Sequence, residues 1–125
     1  MAPNDRYYSK EHEWIIISGT EGTVGISDHA QKALKDIVFI ELPTAGKKLE
    51  QGKPFCVIES VKSVSDVYSP VNGEVIDVND ELDDHPELVN ESPYDKGWIA
   101  KVKITSADKA LLMTAEQYEK LIAGK

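Results

Sequence analysis

The sequence predicts a mostly β fold with small helices at its periphery, and three observations support this prediction. Short runs of β-branched and apolar residues recur along the chain between turns that contain glycine or proline. Apolar and polar residues alternate over residues 97–104, which is the period of a strand with one buried face. Helical spacing is restricted to two short segments. With 125 residues, the chain is expected to form one domain, residues 1–125.

Several segments have the length and composition of strands: residues 14–18, 23–26, 37–42, 54–59, 65–70 and 97–104. The first two are joined by Gly19-Thr20-Glu21-Gly22 and are predicted to form a hairpin. Asn72-Gly73 is predicted to be the turn of another hairpin, since a type I′ turn needs positive φ at both central residues. The acidic run at residues 80–84, followed by Pro86, indicates a further turn.

Two short helices are predicted from capping signals. The first ends at Leu34, and either Ser27 or Asp28 caps its start. Thr114 and Gln117 have the spacing of a capping box, which predicts a C-terminal helix. Tyr118, Leu121 and Ile122 are expected to fall on one face of that helix.

The charge balance excludes two classes of partner. The chain has 14 basic and 22 acidic residues, a formal net charge of −8. Binding to nucleic acid or to an anionic membrane needs a basic surface, so neither partner is expected. The single cysteine, Cys56, excludes an internal disulfide, and residues 1–6 lack a secretory signal. We therefore expect the bacterial cytoplasm, or the mitochondrial matrix if this is a mature form.

The sequence contains no recognisable catalytic or metal site. The three histidines are scattered, and none lies next to Cys56 in sequence. His12-Glu13-Trp14 begins like a zinc-protease helix, but Ile16 stands where the second histidine would be needed. Cys56 lies in an apolar strand and is interpreted as a small buried residue. Catalytic residues and metal ligands are accordingly both predicted to be absent.

Lys62 is the residue most open to a functional interpretation. It lies between two predicted strands in the segment Glu59-Ser60-Val61-Lys62-Ser63, which indicates a hairpin with the lysine at its tip. A lysine amine can be acylated, and its long side chain lets an attached group swing. The alternative is an ordinary solvated lysine. Glu59 and Asp66 flank this tip. They are interpreted either as solvated carboxylates or as groups that a docking enzyme recognises.

A series of ordered sequence blocks resembles the H proteins of the glycine cleavage system, over about residues 7–118. The blocks that carry the resemblance are His12-Glu13-Trp14, Val24-Gly25-Ile26, Asp28-His29-Ala30-Gln31, residues 36–43, Glu59-Ser60-Val61-Lys62-Ser63, residues 69–75, Asn79, residues 86–90, Pro93-Tyr94 and Gly97-Trp98-Ile99. The resemblance implies a barrel-sandwich hybrid fold, as in lipoyl and biotinyl carriers. It also implies that Lys62 carries lipoate in amide linkage. Gly46 and Gly73 match turn positions that these domains share.

The resemblance further implies a set of partners. Lipoate on Lys62 would accept an aminomethyl group from glycine decarboxylase (P protein) and present it to an aminomethyltransferase (T protein). Dihydrolipoamide dehydrogenase (L protein) would then reoxidise it, and the chain itself would act as a monomeric, non-catalytic carrier. A lipoate-attaching enzyme would recognise the attachment loop through Glu59, Ser60, Val61 and Ser63.

By the same resemblance, Glu13 and Asp66 are expected to line a cleft that protects the loaded arm. Two departures from the family bear on this region. Lys35 stands where the family often has a glycine, and Ala33 offers no polar group to the cleft. Two alternative functions stay open: a lipoyl module or relay that serves 2-oxoacid dehydrogenases, and a β interaction module without a cofactor.

Overall fold

The computed structural model describes residues 2–124, which form two antiparallel sheets and several short helices. The strands are β1 (Tyr7–Tyr8), β2 (Glu13–Ser18), β3 (Glu21–Ile26), β4 (Ile37–Glu41), β5 (Lys48–Leu49), β6 (Pro54–Ser60), β7 (Val64–Tyr68), β8 (Asn72–Val78) and β9 (Ala100–Ser106). The helices are α1 (Asp28–Leu34), α2 (Glu81–Asp84), α3 (Leu88–Glu91) and α4 (Ala115–Ala123), with a 3₁₀ turn at Lys109–Leu111. The prediction of a mostly β fold with small outer helices is confirmed.

The two sheets differ in size and together hold one core. Six strands form the larger sheet in the order β1-β2-β3-β9-β8-β5, and three form the smaller one in the order β4-β6-β7. Side chains of both sheets join a single buried cluster, in which Ile15 and Val102 from the larger sheet meet Ile40 and Ile58 from the smaller. All four are at most 1% exposed. Burial on this scale is the main favourable contribution to folding.

Local signals predicted the first hairpin and the last strand well. β2 and β3 pair from Ser18 with Glu21 onwards, so the turn between them is shorter than predicted and contains only Gly19 and Thr20. Gly19 has a φ of +63°, which glycine adopts without a steric cost. β9 begins at Ala100 rather than residue 97, and its lysines alternate outward as predicted.

The predicted hairpin turn at Asn72-Gly73 is wrong. Both residues lie in β8, where Gly73 pairs with Ile104 of β9 and with Leu49 of β5. A Cβ atom on Gly73 would lie 2.2 Å from the backbone oxygen of Lys103. Gly73 is therefore required because two strands approach each other closely at this point, and it does not form a turn. Close approach of another backbone is a common reason for glycine inside a strand.

The helices match most of their capping predictions. Ser27 caps α1 by accepting a hydrogen bond from the backbone N–H of Ala30, and Thr114 and Gln117 form the predicted capping box of α4. Of the three residues predicted to share one face of α4, Tyr118 is buried and Leu121 is 36% exposed. The helix buries only the stripe that faces Tyr8 and Trp14. Residues 81–84 form the short helix α2 rather than a simple turn.

Candidate functional site

The loop between β6 and β7 presents Lys62 at the tip of a tight hairpin. Ser60 organises this loop. Its backbone N–H donates to the backbone carbonyl oxygen of Ser63 at 2.8 Å, and its Oγ accepts from the backbone N–H of Ser63 at 3.2 Å. The backbone N–H of Val61 donates to the Asp36 oxygen at 2.9 Å, which ties the loop to the start of β4. The tip is thus held by its own serines and by the neighbouring strand.

Lys62 and the residues around it face solvent. Lys62 is exposed, Val61 is 66% exposed, and no ion pair of Lys62 is recorded in the part of the chain that the structure describes. Glu59 is half-buried and lies between Phe39 and Val64 in one row across the smaller sheet. The lysine amine is therefore accessible to an enzyme, and the row beneath it combines a carboxylate with exposed apolar side chains.

Glu13 is buried, unlike most glutamates. Its side chain is 2% exposed, and both carboxylate oxygens accept hydrogen bonds. The Ser9 hydroxyl donates to Oε1 at 2.5 Å, and the backbone N–H of Tyr68 donates to Oε2 at 3.2 Å. Glu13 belongs to the larger sheet and Tyr68 to the smaller, so the carboxylate links the two sheets.

Burial changes the acidity of Glu13. The pKa of its carboxyl is raised from the ordinary 4.5 to about 7, mainly by loss of solvation and to a smaller extent by the nearby charge of Glu11. The hydrogen bonds from Ser9 and Tyr68 act in the opposite direction, because they stabilise the charged form. Glu13 can therefore gain or lose a proton near neutral pH.

A cavity of about 200 Å³ lies against Glu13 and opens beside β7. Its polar lining consists of Glu11, His12, Glu13, Ser65 and Asp66. The remaining wall is apolar and comes from α1, β3, β6 and β7, and Ala33 belongs to it, in keeping with the lack of a polar group there. The volume is below the roughly 300–1,000 Å³ of typical small-molecule sites, so it suits the end of a tethered group.

Asp66 and Lys62 are close enough for one flexible arm to serve both. Asp66 is exposed at the cavity wall and lies four residues after Lys62, on the strand that leads away from the tip. At a rise of about 3.3 Å per residue, that separation is roughly 13 Å along the strand. The fold thus brings both carboxylates of the expected cleft, Glu13 and Asp66, to the same cavity.

Sequence reasoning missed the role of two residues that hold this site, Ser9 and Tyr118. Ser9 bonds Glu13, and Tyr118 of α4 bonds His12 Nδ1 at 2.7 Å and Ser27 Oγ at 2.6 Å. His12 has a φ of +75°, which is unusual for a residue with a side chain. A serine four residues before a buried glutamate is a weak signal on its own, and the contact with Tyr118 spans most of the chain.

Other candidate chemistry finds no support in the described residues. Cys56 is 4% exposed, as predicted, and burial raises the pKa of its thiol to about 12. Among residues 2–124, no three histidine, cysteine or acidic side chains are grouped so as to hold a metal ion. None of the helices described there combines the length and the apolar character that crossing a membrane requires.

Comparison with known proteins decides the family. A family profile described as "Glycine cleavage H-protein" matches residues 6–125. The chain belongs to the glycine cleavage H-protein family. It is 52% identical over 120 residues to the glycine cleavage system H protein of Herpetosiphon aurantiacus, which covers 96% of this chain and 92% of the relative. Identity to the H protein of Carboxydothermus hydrogenoformans is also 52%, over 98% of this chain and 95% of that one.

A solved H-protein structure agrees with the fold described above. The crystal structure of a glycine cleavage system H protein from Mycobacterium marinum superposes with a TM-score of 0.91 at 35% identity, over 97% of this chain and 98% of the other. The predicted barrel-sandwich hybrid is therefore confirmed for this member of the H-protein family. Its two sheets are the layers of that fold, and the tip that bears Lys62 projects from the smaller one.

Proposed function

We propose that this H-protein family member is the lipoyl carrier of the glycine cleavage system, with lipoate attached to the Nζ of Lys62. The observation that carries the proposal is the hairpin tip. It exposes a lysine on a loop whose two serines and neighbouring strand fix its backbone. A rigid tip with a mobile side chain is what an attached swinging arm needs. Glu59, Ser60, Val61 and Ser63 would then be the residues that a lipoate-attaching enzyme reads.

The residues near Lys62 fit such an arm. Attached lipoate would supply a disulfide that accepts electrons and a thiol that carries the one-carbon unit of glycine. The chain's own contribution is to present the arm at the tip and to shelter its end. The cavity beside β7 has room for the end of the arm, and the carboxyl groups of Glu13 and Asp66 line it and can pair with a cationic amine.

The proposed partners follow from this role. We propose glycine decarboxylase (P protein), aminomethyltransferase (T protein), dihydrolipoamide dehydrogenase (L protein) and a lipoate-attaching enzyme, with no catalytic residue in the carrier itself. Service to a 2-oxoacid dehydrogenase is not favoured, because the relatives described above are all named as glycine cleavage proteins. The bacterial sources of those relatives favour the cytoplasm as the location.

We also propose that residues 1–125 act as one domain and as a monomer. The buried cluster that both sheets share supports the single domain. A monomer leaves the tip open to several enzymes in turn, which a carrier requires.

A reconstituted assay tests the function. The lipoylated protein is mixed with P, T and L proteins, and glycine-dependent formation of NADH is followed. Lys62→Arg should abolish the signal, because a guanidinium cannot be acylated in this way. Lys53→Arg is the matched control, since Lys53 is an exposed lysine next to the other end of β6, and it should keep full activity.

Two results would contradict the proposal. One is an active Lys62→Arg protein. The other is a wild-type protein that fails with glycine but transfers electrons when a 2-oxoacid decarboxylase and its substrate are supplied.

A further inference from the structure

Ser9 forms an unusually closed turn with the buried glutamate of the cavity. Ser9 is 6% exposed, and its backbone N–H donates to the backbone carbonyl oxygen of Glu13 at 2.9 Å. The Ser9 oxygen accepts from the backbone N–H of His12 at 3.0 Å. The Ser9 hydroxyl oxygen also accepts from the backbone N–H of Glu13 at 3.2 Å. Backbone and side chain of Ser9 are therefore both tied to the residues that precede and start β2.

These contacts fix the direction of the hydroxyl proton. Since the backbone N–H of Glu13 points at the Ser9 oxygen, the proton of that hydroxyl is available for the carboxylate Oε1 at 2.5 Å. The backbone N–H of Tyr68 engages Oε2. A carboxylate oxygen has more than one lone pair, so the ionised group can accept both bonds and still face the cavity.

We propose that Ser9 is a positioning residue that keeps the Glu13 carboxylate ionised and aimed into the cavity, so that it can pair with the cationic end of the loaded arm. This inference rests on the proposed carrier function. It adds a residue outside the cavity lining, which acts through Glu13 and makes no contact with the arm itself.

Tyr68 supports the Glu13 carboxylate through its backbone N–H, and the other side chains around Glu13 differ from Ser9 in what they contribute. Glu11 and Asp66 line the cavity together with Glu13, and the negative charge of Glu11 opposes ionisation of Glu13. The α1 side of the cavity presents only Ala30, Ala33 and Leu34. His12 lines the cavity but directs Nδ1 to Tyr118. Ser9 is the side chain whose hydrogen bond most strongly lowers the pKa of Glu13 against the effect of burial.

The first experiment needs no lipoate. The carboxyl carbon of Glu13 is followed by NMR against pH in the unmodified full chain, for the wild type, Ser9→Ala, Ser9→Thr and Ser65→Ala. Loss of a hydrogen bond to a charged group should move the Glu13 midpoint upward by about one pH unit in Ser9→Ala. Ser9→Thr keeps the donor and should keep the midpoint. Ser65 lines the same cavity and has no recorded bond to Glu13 in residues 2–124, so Ser65→Ala should also keep it.

The second experiment uses the lipoylated protein after loading by glycine decarboxylase. Retention of labelled cargo is measured at pH 7 and expressed relative to Glu13→Gln, which cannot ionise. Ser9→Ala should lose roughly as much retention as Glu13→Gln, and the double variant should lose no more than either. Ser9→Thr should retain cargo as the wild type does. If Ser9→Ala fails to fold, as judged by circular dichroism, Ser9→Cys takes its place as a variant of similar shape with a weaker donor.

The outcomes separate the two claims. An unchanged Glu13 midpoint in Ser9→Ala overturns the inference about Ser9 and leaves the carrier function standing. A shifted midpoint with unchanged cargo retention overturns it as well, because Ser9 would then affect acidity without serving the arm. A wild-type protein that cannot be lipoylated or loaded overturns the carrier function, whatever the midpoint does.

Discussion

Glu13 is the residue in which stability and proposed function conflict most directly. Burial of a carboxylate costs free energy unless hydrogen bonds compensate, and among residues 2–124 Ser9 and the backbone of Tyr68 are the recorded donors from other residues. Its pKa of about 7 means that, between about pH 4.5 and pH 7, the folded protein retains a proton that the unfolded chain has already released, and that the carboxylate ionises above that range. A buried Glu13 carboxyl with a raised pKa therefore makes the fold less stable at neutral and alkaline pH.

This conflict predicts a pH-dependent stability. Between the ordinary pKa of 4.5 and the folded value of about 7, the native state binds more protons than the unfolded state, so the free energy of unfolding falls as pH rises. Glu13→Gln should remove this slope and should gain on the order of 2–3 kcal/mol relative to the wild type between pH 5 and pH 8. Urea unfolding at the two pH values measures the difference. Parallel stability curves for the two proteins would refute the buried, proton-retaining state of Glu13.

At the scale of elements, the C-terminal end of α1 shows how the fold accommodates a residue other than glycine at a positive φ. Lys35 has a φ of +67°, a conformation that glycine adopts and that strains other residues. Asn90 holds it there: its Nδ2 donates to the Lys35 oxygen at 2.8 Å and to Gln31 Oε1 at 2.9 Å, and its Oδ1 accepts from the backbone N–H of Ile37 at 2.9 Å. The contacts with Asn90 hold Lys35 in this strained conformation.

Replacement of Lys35 by glycine should therefore stabilise the protein. Relief of the strained conformation outweighs the extra freedom of glycine in the unfolded chain, with a net gain of about 1 kcal/mol in the free energy of unfolding. Lys32→Gly is the control, because Lys32 lies inside α1 and should lose about 1 kcal/mol. Urea midpoints of the two variants should move in opposite directions, and a lower midpoint for Lys35→Gly would contradict the account.

Elements whose signals are local could be predicted from the sequence, and those that depend on distant partners could not. The β2–β3 hairpin and the capping box at Thr114 each use residues within a few positions of one another. The prediction of a turn at Gly73 is wrong because the position needs glycine for a different purpose. A side chain there would collide with the backbone of β9, which lies about thirty residues later in the chain. The burial of Glu13 likewise depends on Tyr68, which belongs to the other sheet.

At the scale of the whole molecule, the carrier is strongly acidic. A net charge of −8 on 125 residues gives the surface a negative potential, which attracts a basic surface on any protein that docks to it. Such attraction mainly speeds association and is screened by salt, with a Debye length of about 8 Å at physiological ionic strength. The proposed partners should therefore respond to the carrier in a salt-dependent way.

The apparent KM of glycine decarboxylase for the carrier should rise several-fold as salt increases from about 0.05 to 0.5 M. Glu59→Gln, next to the tip, should reduce this dependence more than Glu21→Gln, which lies at the β2–β3 turn. Steady-state kinetics at several salt concentrations measures both effects. A KM that does not change with salt would show that docking does not use the acidic surface.

The attachment of lipoate to Lys62 is the central claim, and mass spectrometry tests it most directly. The protein is incubated with lipoate, ATP and a lipoate-attaching enzyme, beside a known lipoyl domain as a positive control, and intact and peptide masses are recorded. We predict a single lipoyl increment on the peptide that contains Lys62, and none on Lys62→Arg. An unmodified Lys62 under conditions that fully modify the control domain, or an increment on another lysine, would contradict the account.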